Sequence, residues 1–255
     1  MSDAHKHRAR IFLHRGDLTQ ARAAWEAAVA DDRAANRARE LSDSLGNLGN
    51  TSALMHDFET AARCYREVLE IQRIEGNRHA VAHTLVNLGN LHIGADHPHK
   101  ARPYYLEALD LLRELRDERG LGILYNNLAL QEVREGQWDQ AVTSFRQALD
   151  CHRTVGNEEG LAVTYSQFGK ALLEHGDREQ AERCLNNASE HYIKLGNEPA
   201  EAAVLRLLAS VYETRHDAIS ARRCLERVVA LDLRYHLPEL QPDSARLARI
   251  PPANR

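Results

Sequence analysis

The feature that most constrains this chain is a beat of 40 residues. Ala21, Ala61, Ala101, Ala141, Ala181 and Ala221 stand at that spacing, and four residues after each comes a large apolar side chain: Trp25, Tyr65, Tyr105, Phe145, Leu185 and Leu225. A second stretch keeps the same period. It reads Ser44-Leu45-Gly46-Asn47-Leu48-Gly49-Asn50, then Thr84-Leu85-Val86-Asn87-Leu88-Gly89-Asn90, then Leu124-Tyr125-Asn126-Asn127-Leu128-Ala129. Self-similarity at a fixed period of this size marks a repeat architecture, in which each unit buries its apolar face only by stacking on its neighbours. The 255 residues therefore need not enclose one central core.

Composition narrows the repeat to helices and removes some partners. The apolar share of 43% is rich in Ala and Leu rather than β-branched residues, a helical leaning. A net charge of -4 gives no basic surface for nucleic acid or an anionic membrane. No run approaches the roughly 18 apolar residues of a membrane span, and Met1 to Arg15 lacks the apolar centre of a signal peptide. Of the four cysteines, Cys64, Cys184 and Cys224 share one repeat position and Cys151 does not. Equivalent positions in stacked helices lie about 8–10 Å apart, beyond the roughly 7 Å a disulfide tolerates. Free thiols, and hence a cytoplasmic location, are expected.

Each unit divides into two amphipathic helices. Asp17, Asp57, Asp177 and Asp217 recur at one position and read as N-caps of the second helix, because a short carboxylate can accept from the free amides of the first turn. Gly76, Gly156 and Gly196 close that helix, and the residue after each, Asn77, Asn157 or Asn197, caps the next. Asn36-Arg37 and Arg116-Asp117 fill the slot less well. First helices are expected at Asp3–His14, Arg37–Met55, Arg78–Gly94, Glu118–Glu135, Glu158–His175 and Glu198–Arg215. Second helices are expected at Leu18–Ala35, Phe58–Glu75, Pro98–Leu115, Trp138–Val155, Arg178–Leu195 and Ala218–Tyr235. Connections of two or three residues make successive helices antiparallel. Residues 2–238 thus form the repeat array, and 239–255 form a proline-containing tail with one short capping turn over Ser244–Ile250. Neither end shows an obvious polar cap. The tail folds back, the ends self-associate, or the chain is a segment of something longer.

These residues resemble the tetratricopeptide repeat. Its pattern of a large residue, Leu-Gly, Tyr, then Ala-x3-Phe-x2-Ala is read at Leu45, Leu48-Gly49, Ala61, Tyr65 and Val68, and again at Leu85, Leu88-Gly89, Ala101, Tyr105 and Ala108. Later units give Tyr125, Leu128-Ala129, Ala141, Phe145 and Ala148, then Tyr165, Phe168-Gly169, Ala181, Leu185 and Ala188. The period exceeds the usual 34 residues, and the usual proline after the second helix is missing. The long variant with Gly-Asn junctions is similar to kinesin light chains and the Leu-Gly-Asn-repeat adaptors; bacterial peptide-sensing regulators also use long repeats. The resemblance implies an all-α, right-handed superhelical solenoid of about six antiparallel helix pairs.

One face of each first helix is occupied by packing residues: Gly49, Gly89, Ala129, Gly169 and Ala209 with Leu48, Leu88, Leu128, Phe168 and Leu208. The opposite face follows i, i+4, i+7, i+11 spacing and holds Asp43, Asn47, Asn50 and Leu54; then His83, Asn87, Asn90 and Gly94; then Ile123, Asn127, Leu130 and Arg134; then Val163, Gln167, Lys170 and Glu174. Asparagine is a poor helix-interior residue, so Asn47, Asn87, Asn127 and Gln167 in register ask for a reason. A carboxamide offers donors and an acceptor to the backbone of a peptide, and the resemblance implies that this face lines a concave, peptide-clamping groove. The competing reading is that the amides bond between neighbouring helices and stabilise the stack. Lys6, His7, Arg10 and His14 at one end, and Lys170 and Arg206 at the other, suggest acidic groups on the ligand; the alternative is that these charges are merely solvated.

Two functions follow. The first is a non-catalytic scaffold that takes a protein or peptide ligand. The second is a peptide-sensing module of a larger regulator. There is no phosphate loop, no nucleophile motif and no cofactor signature. His92, Asp96, His97 and His99 crowd one junction, but Pro98 and the helix periodicity spread them, so no metal site is assigned.

Overall fold

The computed structural model describes residues 2–251. Among them the secondary structure is helical: α1 (Ser2–His14), α2 (Leu18–Ala34), α3 (Ala38–Leu54), α4 (Phe58–Ile74), α5 (Arg78–Gly94), α6 (Pro98–Leu115), α7 (Glu118–Arg134), α8 (Trp138–Thr154), α9 (Glu158–His175), α10 (Arg178–Leu195), α11 (Glu198–Thr214), α12 (Ala218–Tyr235) and α13 (Leu240–Arg249). Twelve of these form six antiparallel pairs, one pair per 40-residue repeat. The chain divides into two compact units, Met1–Leu124 and Tyr125–Arg255.

The junction chemistry sets the helix ends. Asp17, Asp57, Asp177 and Asp217, and Asn77, Asn157 and Asn197, each accept from the backbone N–H three residues ahead at 3.0–3.2 Å. That satisfies one of the four donors a helix start leaves open. Gly76, Gly156 and Gly196 turn the chain with φ of 67°, 62° and 65°, a left-handed conformation that costs glycine nothing.

In the first unit a core forms around Trp25, Leu45, Leu48, Cys64 and Val68. Close approach of the two helices of a pair explains the small residues. A Cβ on Gly49 would stand 2.8 Å from Cε1 of Tyr65, and one on Gly89 would stand 2.2 Å from Cε1 of Tyr105. The second unit holds two such cores. One gathers Phe145, Leu161, Phe168 and Leu172; the other gathers Leu185, Tyr192, Val204, Leu208 and Leu225. None of the four cysteines is paired.

The ends differ from the sequence expectation. α13 begins at Leu240, four residues before Ser244, and Pro242 is its third residue. A first-turn proline lacks only an N–H that would have had no helical acceptor. Leu247 and Ile250 pack on the second of the two unit-two cores, while Gln241, Ala245, Ala248 and Arg249 are exposed. At the other end, Ala9 is buried and Asp3, His7, Arg8 and Arg10 are exposed. The terminal helices thus expose polar and small residues together with a few large apolar ones, Ile11 on α1 and Leu233 and Tyr235 on α12.

Two fully buried aspartates, Asp32 and Asp232, sit at the same repeat position near those ends. Asp32 takes Lys6 at 3.0 Å, Arg37 at 2.7 Å and the Ser44 hydroxyl at 2.7 Å. Burial pushes its carboxyl up, but Ser44 and Lys6 outweigh it and hold it below the usual range. Asp232 is bonded by Arg206, which also holds Asp243 of α13 at 2.5 Å; there burial wins and the carboxyl is raised. Lys6 and Arg206 are thus consumed inside the fold, with 14% and 18% of their side chains exposed. That corrects their reading as ligand-facing charges.

Candidate functional site

In the first unit the C-terminal halves of α3 and α5 and the start of α4 enclose a cavity of about 500 Å3. Its polar rim is Asn50, Asn87 and Asn90, and its apolar floor is Leu54, Phe58 and Leu91, with Gly94 at the far wall. The helical spacing that put these amides on one face also brings the two helices' amides into one space. No Asp, Glu, Lys or Arg lines it.

Two of the three rim amides are held in one orientation. Tyr65 donates its hydroxyl to Oδ1 of Asn50 at 2.6 Å, and Tyr105 does the same to Asn90 at 2.6 Å. Burial pushes the Tyr65 phenol up to about 12, so it stays protonated and donates. With its oxygen engaged, the Asn50 carboxamide has its NH2 left as the group for an incoming acceptor. Asn87 is exposed and, among the described residues, makes no side-chain hydrogen bond. The tyrosines carry two tasks, filling the pair interface beside a glycine and fixing an amide. Sequence reading found the packing task only. The 15-residue offset from Asn50 to Tyr65 and from Asn90 to Tyr105 was the available signal.

The other expected residues divide. Asn47 donates to the backbone oxygen of Asp43 in its own helix at 2.7 Å, and both lie beside the cavity rather than in it. His83 is exposed, with Nε2 at 3.6 Å from Asp117, whose same oxygen stands 3.5 Å from His79. In the second unit Asn127 is half-buried and Arg134 exposed. Gln167 accepts from Asn126 at 2.5 Å, tying α9 to α7, so at that rung the amide stabilises the stack. Lys170 is 4.0 Å from Glu174 on the surface. His92 stacks on Tyr104 with centroids 5.4 Å apart, and among the described residues no group of three or more His, Cys, Asp or Glu is disposed to hold a metal. Nor is any described helix long and apolar enough to cross a membrane.

Comparison with known proteins agrees with this architecture. A tetratricopeptide repeat profile matches residues 40–114 and 120–194, and a second profile of the same description matches 167–232. No curated protein sequence matches the chain. Among solved structures, BtubC (BKLC) from P. vanneervenii superposes with a TM-score of 0.73 at 19% identity, over 93% of this chain and 95% of that one. A STAND signal-transduction ATPase with a tetratricopeptide repeat sensor, from Pyrococcus horikoshii, gives 0.77 at 14% identity over 98% of this chain; the chain spans 38% of that protein's length. The apo form of the quorum sensor NprR from B. thuringiensis gives 0.70 at 14% identity, over 99% of this chain and 71% of that one. At such identities the likeness is one of fold.

Proposed function

The chain belongs to the tetratricopeptide repeat family, and on that premise we propose that it is a non-catalytic interaction module whose first unit binds a peptide. The observation that carries the reading is the cavity of α3, α4 and α5, where Asn50, Asn87 and Asn90 surround an apolar floor. Peptide backbone needs donors and acceptors without charge, and apolar side chains need a dry surface. Asp43, Asn47 and His83 are on the same two helices outside the cavity lining and are candidates for further contacts with the peptide. Asn127, Arg134 and Lys170 are the second unit's candidates, and Gln167 contributes to the stack. The four unpaired thiols support a reducing, cytoplasmic setting.

A second reading, a sensor within a larger regulator, is supported by the likeness to the STAND protein's structure, of which this chain spans only a part. The two readings share the binding step, so one experiment tests both. Peptides selected from a random display library on the immobilised chain are titrated calorimetrically against wild type and Asn87→Ala. A net hydrogen bond is worth about 0.5–1.5 kcal/mol, so losing the two donors weakens binding about tenfold, with the melting temperature unchanged. Equal affinity for wild type and Asn87→Ala, or a library that yields no binder, contradicts the proposal.

A further inference from the structure

The junction that forms this cavity recurs 80 residues later, between α7, α8 and α9, where Trp138 and Glu174 stand at the positions of Phe58 and Gly94. There the protein fills its own cavity. The His175 ring lies flat on Trp138, with centroids 3.9 Å apart and planes 11° from parallel, and only about 270 Å3 remains. In the first unit the residues in place of Glu174 and His175 are Gly94 and Ala95. Among the described residues no ring lies flat on Phe58: His56, at the junction of α3 and α4, meets it edge-on, with centroids 5.7 Å apart and planes at 82°, and about 500 Å3 is open. A Cβ on Gly94 would already come within 3.3 Å of Cε1 of Phe58, so any larger side chain there enters the space.

We infer that this cavity seats one aromatic side chain of the bound peptide, stacked on Phe58 as His175 is stacked on Trp138. The adjoining backbone of that residue bonds to the carboxamides of Asn50, Asn87 and Asn90. Gly94 and Ala95 set this specificity by leaving the seat empty. The lining has no Asp, Glu, Lys or Arg and one imidazole, His56, so an ammonium would be desolvated there without an anionic partner and a carboxylate would have His56 alone to meet it; both are disfavoured against an uncharged ring. A flat ring buries the largest area and adds a preferred stacking geometry. The inference rests on the peptide-binding reading above.

The probe is N-acetyl-phenylalaninamide, which carries one aromatic side chain between two peptide groups. Its alanine and glutamate analogues carry the same backbone without the ring. Each is titrated into the full 15N-labelled chain while amide resonances are followed. The phenylalanine compound is expected to shift the Gly94 backbone amide and the Asn87 side-chain NH2 saturably, and to bind at least tenfold more tightly than either analogue. Gly94→Glu with Ala95→His, which transplants the second unit's closure, is expected to abolish that preference. Asn87→Ala is expected to weaken all three compounds alike.

Equal binding of the phenylalanine and alanine compounds overturns the inference, as does a preference that survives Gly94→Glu with Ala95→His. Leu54→Glu supplies a second test on an exposed residue, should the double variant fold poorly; it too must reduce the preference. If library peptides bind in an Asn87-dependent manner yet lack an aromatic residue, the seat is wrong and the peptide-binding reading stands. If neither compounds nor library peptides bind, both fall.

Discussion

Replacing Gly89 by alanine should destabilise a helix, against the ordinary ranking of these residues. Alanine is favoured over glycine by about 1 kcal/mol inside a helix, and Gly89 lies within α5. But its Cβ would stand 2.2, 2.5 and 2.9 Å from three carbons of the Tyr105 ring. Tyr105 is 1% exposed and its hydroxyl is bonded to Asn90, so the ring has little room to retreat. Overpacking of this kind costs about 1–3 kcal/mol, and the helix-propensity gain offsets part of it, leaving a net loss of about 1–2 kcal/mol. Gly46→Ala in α3 is the control. Nothing lies within 4 Å of its added Cβ, so it should stabilise by up to about 1 kcal/mol. Hydrogen exchange read helix by helix is the suitable assay, because repeat arrays open locally. Protection of α5 and α6 should fall in Gly89→Ala, and protection of α3 should rise in Gly46→Ala. A neutral or stabilising Gly89→Ala would refute the close approach of the two helices.

Three further outcomes are expected. Arg206→Ala leaves two buried carboxylates, Asp232 and Asp243, without their shared cation. Breaking such a buried network costs about 3–5 kcal/mol, and amide exchange over residues 240–249 should rise first. The bond from the Thr60 amide, and then Arg22, lowers the Asp57 carboxyl. A lowered carboxyl stabilises above its unfolded value of about 3.9 and loses that contribution as pH falls through the folded value. Asp57→Asn should therefore keep the cap and flatten the acid limb of a pH–stability curve, whereas Asp57→Ala should lose about 0.5–2 kcal/mol at neutral pH. Finally, peptide affinity at a cavity lined by no Asp, Glu, Lys or Arg should depend little on salt; a steep salt dependence measured by calorimetry would restore the charge-matching idea.

The sequence made the stack legible because its determinants are local and periodic. An Asp or Asn at a helix start and a Gly at its end announce themselves at each repeat, and the observed helices end within about one residue of expectation over the repeats. Other features depended on pairs far apart in the chain. Lys6 and Arg206 looked like free cations because their partners, Asp32 and Asp232, belong to other helices. Prolines flag a break, so the sequence predicts a turn shorter than α13, while the first-turn allowance for Pro242 depends on where the helix begins. The amides were readable as one face, but not which would serve each end. Asn50 and Asn90 are fixed by tyrosines in the following helix, and Gln167 is spent on Asn126. Gly94 gave no signal by itself, since its meaning lies in the contrast with the filled junction at Glu174 and His175.

The most direct test of the account is to add a library-selected peptide to 15N-labelled protein and record which backbone and side-chain amides respond. The account predicts shifts at the NH2 groups of Asn50, Asn87 and Asn90, with no change at the backbone amides of exposed second-helix residues such as Ile193 and Leu233. Shifts confined to those second-helix residues, with the three asparagines unmoved, would contradict it.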